Sequence, residues 1–160
     1  MKISNLTIGA DVVVDPTSSI NNITIGNATK VAKYCSLYGA ADHPLEIGKE
    51  VYVGMFSIIN GYAAKIKIGN NVSIAQHVNI MADSGPNASV EMQKYFPLIQ
   101  GAITIGDHCW LGANCIIMPG VQLGEFTVVA ANSFVNTSFP PYSVIGGNPA
   151  KLIRTLKKEI

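Results

Sequence analysis

Aliphatic residues recur every six positions through most of the chain: Ile8, Val14 and Ile20; Ile68, Ile74 and Ile80; then Ile105, Leu111, Ile117, Leu123, Val129 and Val135. A period of six is neither the 3.6 of an amphipathic helix nor the alternation of a half-buried strand. It marks an internal repeat of the kind that stacks into a solenoid. The residue after the aliphatic one is small (Gly9, Gly26, Gly48, Gly54, Gly69, Ala75, Gly106, Gly112, Gly124, Ala130), where a bend and close backbone approach leave little room for a side chain. Four residues after the aliphatic one stands another small or β-branched residue: Ser18, Thr29, Cys35, Val51, Ser57, Val72, Val78, Cys109, Cys115, Thr127 or Ser133. Two inward positions per hexapeptide account for both rules. Three hexapeptides make a coil, for example 105–122, whose three flat sides stack on neighbouring coils as parallel strands. The predicted fold is all-β: a parallel β-helix of triangular section, one domain over 1–160, with the prism at about 6–138 and a closing segment at 139–160.

Interruptions of the period predict the loops. The step from Leu37 to Ile47 is ten residues, from Ile59 to Ile68 nine, and from Ile80 to Ile105 twenty-five. The last leaves 19 residues beyond one repeat, so a long loop near 83–102 leaves the prism, where function tends to sit. Beyond Val135 the segment NTSFPPYSVIGGNPA breaks the pattern with prolines, and AKLIRTLKKEI predicts a short amphipathic C-terminal α-helix.

Composition narrows the function class. With 48% hydrophobic and 13% charged residues and a net charge of +1, the 160-residue chain is neither disordered nor marked by the basic excess of a nucleic-acid binder. The only adjacent basic pair is Lys157 and Lys158. No signal-length apolar run opens the chain and no 18 consecutive apolar residues occur, which predicts a cytoplasmic protein without membrane insertion. Cys35, Cys109 and Cys115 form no metal spacing and fit a reducing compartment as small core residues.

The section ITIGDHCWLGANCIIMPGVQLGEFTVVAANSFVNTSFPPYSVIGGNPAKLIR, residues 103–154, resembles the final coils and closing GNPAK-type segment of the hexapeptide-repeat acyltransferases, which include galactoside, maltose, O-antigen polysaccharide and streptogramin acetyltransferases. The resemblance extends over essentially the whole chain. It implies a left-handed coil, a homotrimer, sites shared between subunits, and acetyl-CoA as co-substrate. The small residues that line the pantetheine arm in similar enzymes fall on Ala113 and Ala131, although small residues also suit the repeat. Lys151 and Arg154 match positions where basic side chains meet the coenzyme's phosphates, against the alternative of solvated terminal charge. Trp110 falls in the WLG element at an outward position, which suggests a groove wall or a subunit contact. Where relatives often carry a lysine after the last coil this chain has Thr137 preceded by Asn136, which puts Asn136 among the candidate coenzyme contacts.

The resemblance breaks at the catalytic base. The loop histidine that deprotonates the acceptor should fall between 83 and 87, where the chain has Asp83, Ser84, Gly85, Pro86 and Asn87. Candidates for its role are His108, beside the Trp110 element, His77, Asp83, Ser84 and Asn87. Both histidines stand three after an aliphatic residue, an outward position that also suits a surface imidazole, and an Asp before Ser and Gly is commonly a turn residue. An amine acceptor would need no protein base. Tyr95, Phe96 and Met92 either line the acceptor pocket or dock the loop on a neighbour. His43, His77 and His108 are too scattered for the three-histidine zinc site of prism-shaped carbonic anhydrases, so no metal is expected. The resulting expectation is acetyl transfer from acetyl-CoA to a hydroxyl or amine of a small-molecule sugar by direct attack on the thioester. The alternative is a non-catalytic trimeric coenzyme-binding or scaffold protein.

Overall fold

A computed structural model describes residues 4–158. Residues 1–3 and 159–160, which belong to the expected single domain, lie outside the described residues. The chain winds through about six coils, 6–21, 23–38, 45–60, 66–81, 103–117 and 122–135, and each contributes one short strand to each of three parallel sheets. The first sheet runs Leu6–Ile8, Ile23–Ile25, Leu45–Ile47, Ile66–Ile68, Ile103–Ile105 and Gln122–Leu123. The second runs Val13–Val14, Lys30–Val31, Tyr52–Val53, Ser73–Ile74, Trp110–Leu111 and Val128–Val129. The third runs Ser19–Asn21, Ser36–Tyr38, Ile58–Asn60, Asn79–Met81, Ile116–Ile117 and Phe134–Val135.

The periodic residues fill the prism. Ile68, Ile74, Ile80, Ile105, Leu111, Ile117, Val129 and Val135 are fully buried, as are Val72, Val78, Cys109 and Cys115 at the second inward position. Where that position is polar it is satisfied locally: Thr29 Oγ1 donates to the Gly48 carbonyl at 2.8 Å and Thr127 Oγ1 to the Gly124 carbonyl at 2.7 Å. Among the described residues no buried side-chain polar atom lacks a partner.

The small residue and the bend are separate devices. A Cβ added at Gly48 would lie 2.4 Å from the Gly69 carbonyl oxygen, and one at Gly112 would lie 2.6 Å from the Ala131 nitrogen, so smallness is required where successive coils touch. The left-handed backbone falls two residues later, at Asp11, Asn71, His77, His108, Asn114, Phe126, Asn132 and Tyr142, with φ of 56° to 64°. Asn, Asp and His tolerate that conformation better than other side chains, whereas bulky residues adopt it at a cost. Here the bulky ones stack in ladders along the prism edges, Tyr34 on Phe56 at 5.2 Å and Phe126 on Tyr142 at 5.0 Å.

The three loops expected from the interrupted period occupy one edge, between the third sheet and the first. They are the segments 39–44, 61–65 and 82–102. His43 ties two of them together, its Nε2 3.0 Å from the Tyr62 carbonyl and its Nδ1 2.8 Å from Asp42.

The C-terminal helix is not formed, and its last two residues lie outside the described chain. After Pro140 and Pro141 the strand Ser143–Gly147 joins the second sheet beside Val128–Val129 and turns back into Ala150–Thr155, antiparallel to it. An eleven-residue helix is marginal alone, and only Ala150 of the segment finds a buried place. The open edge of the second sheet offers backbone partners instead, and Ile153 and Thr155 suit a strand.

Two outcomes follow for stability. Ile117→Asp places an unpaired charge in a fully buried position at a cost of several kcal/mol, comparable with the roughly 5–15 kcal/mol of a whole domain. It should abolish cooperative unfolding in circular dichroism melts, whereas Thr104→Asp on the outer face of the first sheet should leave the melt within a few degrees of the parent. Burial pushes the Cys109 thiol up to about 11 and Cys115 up to about 12, and raises Cys35 as well. A thiol whose folded pKa exceeds its unfolded value of about 9 stabilises the fold below pH 9 and loses that contribution as pH rises through the folded value. The melting temperature should therefore fall between pH 9 and 12, and Cys115→Ala should flatten that decline.

Candidate functional site

The outer face of the second sheet carries one continuous row. Lys30, Tyr52, Ser73, Trp110, Val128, Val144 and Arg154 stand opposite one another in successive strands. Three strand spacings separate Trp110 from Arg154, about 14 Å at the usual ~4.8 Å per strand. Lys151 lies on the same terminal strand, opposite Gly146, and both basic side chains are exposed.

Beside this row lies a groove of about 470 Å³, lined by Ala75, Trp110, Gly112, Ala113, Val128, Val129, Ala130 and Ala131. Trp110 stands exposed as one wall, and alanines form the floor at the edge between the second and third sheets. Trp110, Ala113 and Ala131 are thus brought together, with Lys151 and Arg154 at the C-terminal end of the same face. Asn136 is not part of this group, because it follows Phe134–Val135 on the far side of the third sheet.

The two histidines sit on different edges of the prism. His108 is exposed between the first and second sheets, its ring 4.6 Å from that of Phe126. His77 is exposed between the second and third sheets, one coil before Asn114, with its ring 4.9 Å from Phe56. Each is the left-handed turn residue of its coil.

Asp83, Ser84 and Asn87 belong to the third edge. Asp83 and Ser84 pair antiparallel with Gln100 and Ile99, which closes the long loop at its root. Gly85 lets the two limbs cross, since a Cβ there would lie 2.5 Å from Leu98 Cδ2 and 3.0 Å from its Cα. Asp83 is half-buried and accepts a hydrogen bond from Asn60 Nδ2 at 3.2 Å. Tyr38 stands in register with Asn60 one coil earlier, and its phenol is raised by burial first and by the Asp83 charge second. Sequence reasoning missed Tyr38 and Asn60; the available signal was their place immediately before two interrupted repeats.

The loop itself carries one helical turn, Val90–Gln93, capped by Ser89 Oγ accepting from the Met92 amide at 3.1 Å. Val90, Met92, Tyr95, Phe96, Leu98 and Ile99 are all exposed. An apolar set of this size on one projecting arm marks a contact surface. Within one chain the loop root and the groove occupy different edges, separated by the width of the third sheet. No group of three or more His, Cys, Asp or Glu among the described residues is arranged to hold a metal, and no described helix is long and apolar enough to cross a membrane.

A family profile described as the hexapeptide repeat of succinyl-transferase matches residues 102–137. The galactoside O-acetyltransferase of Escherichia coli K12 is 33% identical over 120 residues, 74% of this chain and 56% of that protein. The chloramphenicol acetyltransferase of Agrobacterium fabrum is 33% identical over 115 residues, 69% of this chain and 54% of that protein. The chain thus spans a little over half the length of these relatives. Among solved structures, AntD, an N-acyltransferase from Bacillus cereus in complex with dTDP and coenzyme A, superposes with a TM-score of 0.82 over 95% of this chain and 84% of its own, at 23% identity, a likeness of fold. The repeat, the three-sided solenoid and these relatives make the chain a member of the hexapeptide-repeat acetyltransferase family.

Proposed function

We propose that this chain is an acetyl-CoA-dependent acetyltransferase that moves the acetyl group to a hydroxyl or amino group of a sugar. The observation that carries the reading is the groove of Trp110, Ala113 and Ala131 running toward Lys151 and Arg154 on one face. An apolar, narrow-floored channel suits a pantetheine arm whose amides reach backbone groups that a larger side chain would cover. Two exposed cations at its end suit phosphates, Arg154 through paired N–H donors and Lys151 as a point charge. The acyl-CoA complexes of fold relatives support the same co-substrate.

Transfer proceeds by direct attack on the thioester. The chain's three thiols lie inside the core, and burial holds them protonated near neutral pH, so none is available as an acyl carrier. The left hand of the coil and the trimer are carried from the family. The exposed arm 90–99 supports the trimer, because docking it on a neighbour covers its apolar residues and brings the loop root of one subunit to the groove of the next. A non-catalytic coenzyme-binding protein is the second reading, favoured by the missing loop histidine; it predicts binding without thiol release.

Calorimetry should show acetyl-CoA binding, and thiol release should depend on added sugar acceptor. Losing a charge-assisted phosphate contact costs about 1.5–3 kcal/mol, so Lys151→Ala and Arg154→Ala should each weaken Kd by roughly tenfold to a hundredfold and reduce its salt dependence. Ala131→Phe should block binding with the fold intact. Absence of acetyl-CoA binding by the parent protein would defeat the proposal. Light scattering should return three times the 17.0 kDa chain mass, and Tyr95→Ser combined with Phe96→Ser should lower it.

A further inference from the structure

We infer that Asp83 is the docking point for a cationic amine on the acceptor, so that the sugar acetylated is an amino sugar and the product an amide. The reaction rests on the acetyl-CoA reading above, whereas the amine site stands on the geometry of the looped edge.

Asp83 is held in place from several sides. Ala82 before it is fully buried, donates its amide to the Asn60 carbonyl at 2.9 Å and accepts from the Gly101 amide at 3.0 Å. Gln100 pairs with Asp83 across the loop root. The orientation of the Asn60 amide is fixed independently of Asp83, because its Oδ1 accepts from the Tyr62 amide at 3.1 Å. Its NH2 group is therefore turned to the Asp83 carboxylate, and Asp83 serves as acceptor. The neighbouring Tyr38 phenol stays neutral, since burial and the carboxylate charge both disfavour its ionisation.

The cluster thus holds one negative charge and two neutral polar groups, and it lacks a cation. The ion pairs among the described residues join His43 to Asp42, Lys65 to Glu46 and Lys94 to Glu91; none includes Asp83. A carboxylate offers about four acceptor positions, and the described side chains fill one. A half-buried charge left so incomplete favours a cationic partner over a neutral one. An ammonium supplies both charge and donors, whereas a sugar hydroxyl supplies a weaker neutral bond. The same edge presents Tyr62, 69% exposed, on the adjoining loop, an apolar face for a sugar ring.

Amine chemistry also accounts for a loop without histidine. The docked ammonium releases one proton through Asp83 to solvent, and the free amine attacks the thioester carbonyl carbon. The carbon–nitrogen bond forms, the carbon–sulfur bond breaks, and the second amine proton leaves with the sulfur as coenzyme A thiol. The products are the N-acetyl sugar, coenzyme A and one proton.

The test uses matched acceptors, amino sugars with the amine at carbon 2, 3 or 4 and their hydroxyl counterparts, in thiol-release assays and in calorimetry without acetyl-CoA. The parent protein should bind and acetylate the amino member of a pair. Asp83→Asn should raise KM for that amine at least tenfold with KM for acetyl-CoA and melting temperature unchanged, and Asp83→Glu should recover part of the loss. The inference is overturned if no amino sugar binds, if hydroxy sugars are preferred, or if Asp83→Asn affects both members of a pair equally or neither. If acetyl-CoA fails to bind, the transferase reading falls alone, and loss of amine binding in Asp83→Asn still decides the docking site.

Discussion

Everything in this molecule depends on the close stacking of one coil on the next. Backbone amides donate to carbonyls of the neighbouring coil, as Gly48 does to Ile68 at 2.9 Å and Gly112 to Val129 at 2.8 Å. That spacing is possible only because the residue after each buried aliphatic is glycine or alanine. Each buried aliphatic then adds roughly 1.5–3 kcal/mol, and the column of isoleucines, leucines and valines runs unbroken along the prism axis. The stack is thus held by non-local contacts made of a local rule repeated.

The same constraint leaves the protein two places to build chemistry. On the flat sheets, alternate residues face outward in register, so a ligand-binding row is made by choosing one residue per strand: Trp110, Val128, Val144, Arg154. At the edges the chain can be lengthened without disturbing the stack, and all three insertions fall on the edge between the third sheet and the first. Their accumulation there creates the polar cluster of Tyr38, Asn60 and Asp83, which no single coil provides. The groove is made by omission of side chains, the looped edge by addition of chain. In the trimer that we propose, one subunit's edge meets another's groove, so neither device is sufficient alone.

The candidate histidines illustrate how the turn geometry competes with chemistry. His77 and His108 occupy slots where the backbone is left-handed and where other coils place Asn or Asp. Their rings extend aromatic ladders along two edges. A residue type associated with proton transfer is here explained by conformation and stacking, and a plain aspartate at a loop root has the environment that a binding group needs.

Much of the architecture was legible in the residues. The six-residue period, the small residue beside each aliphatic and the three irregular steps determined the three-sided prism, its core and the loop positions, because each reflects an interaction repeated at a fixed local spacing. The candidate coenzyme residues Trp110, Ala113, Ala131, Lys151 and Arg154 came from resemblance, and their common face emerged only from strand register. The closing segment was misread as a helix, since its sequence is compatible with either form and the open edge of the second sheet decided between them. Nor does any local pattern announce that Asn60 turns its amide toward Asp83 or that the loops share an edge. Those facts depend on which coil lies over which, a relation between residues some twenty positions apart that stacking alone establishes.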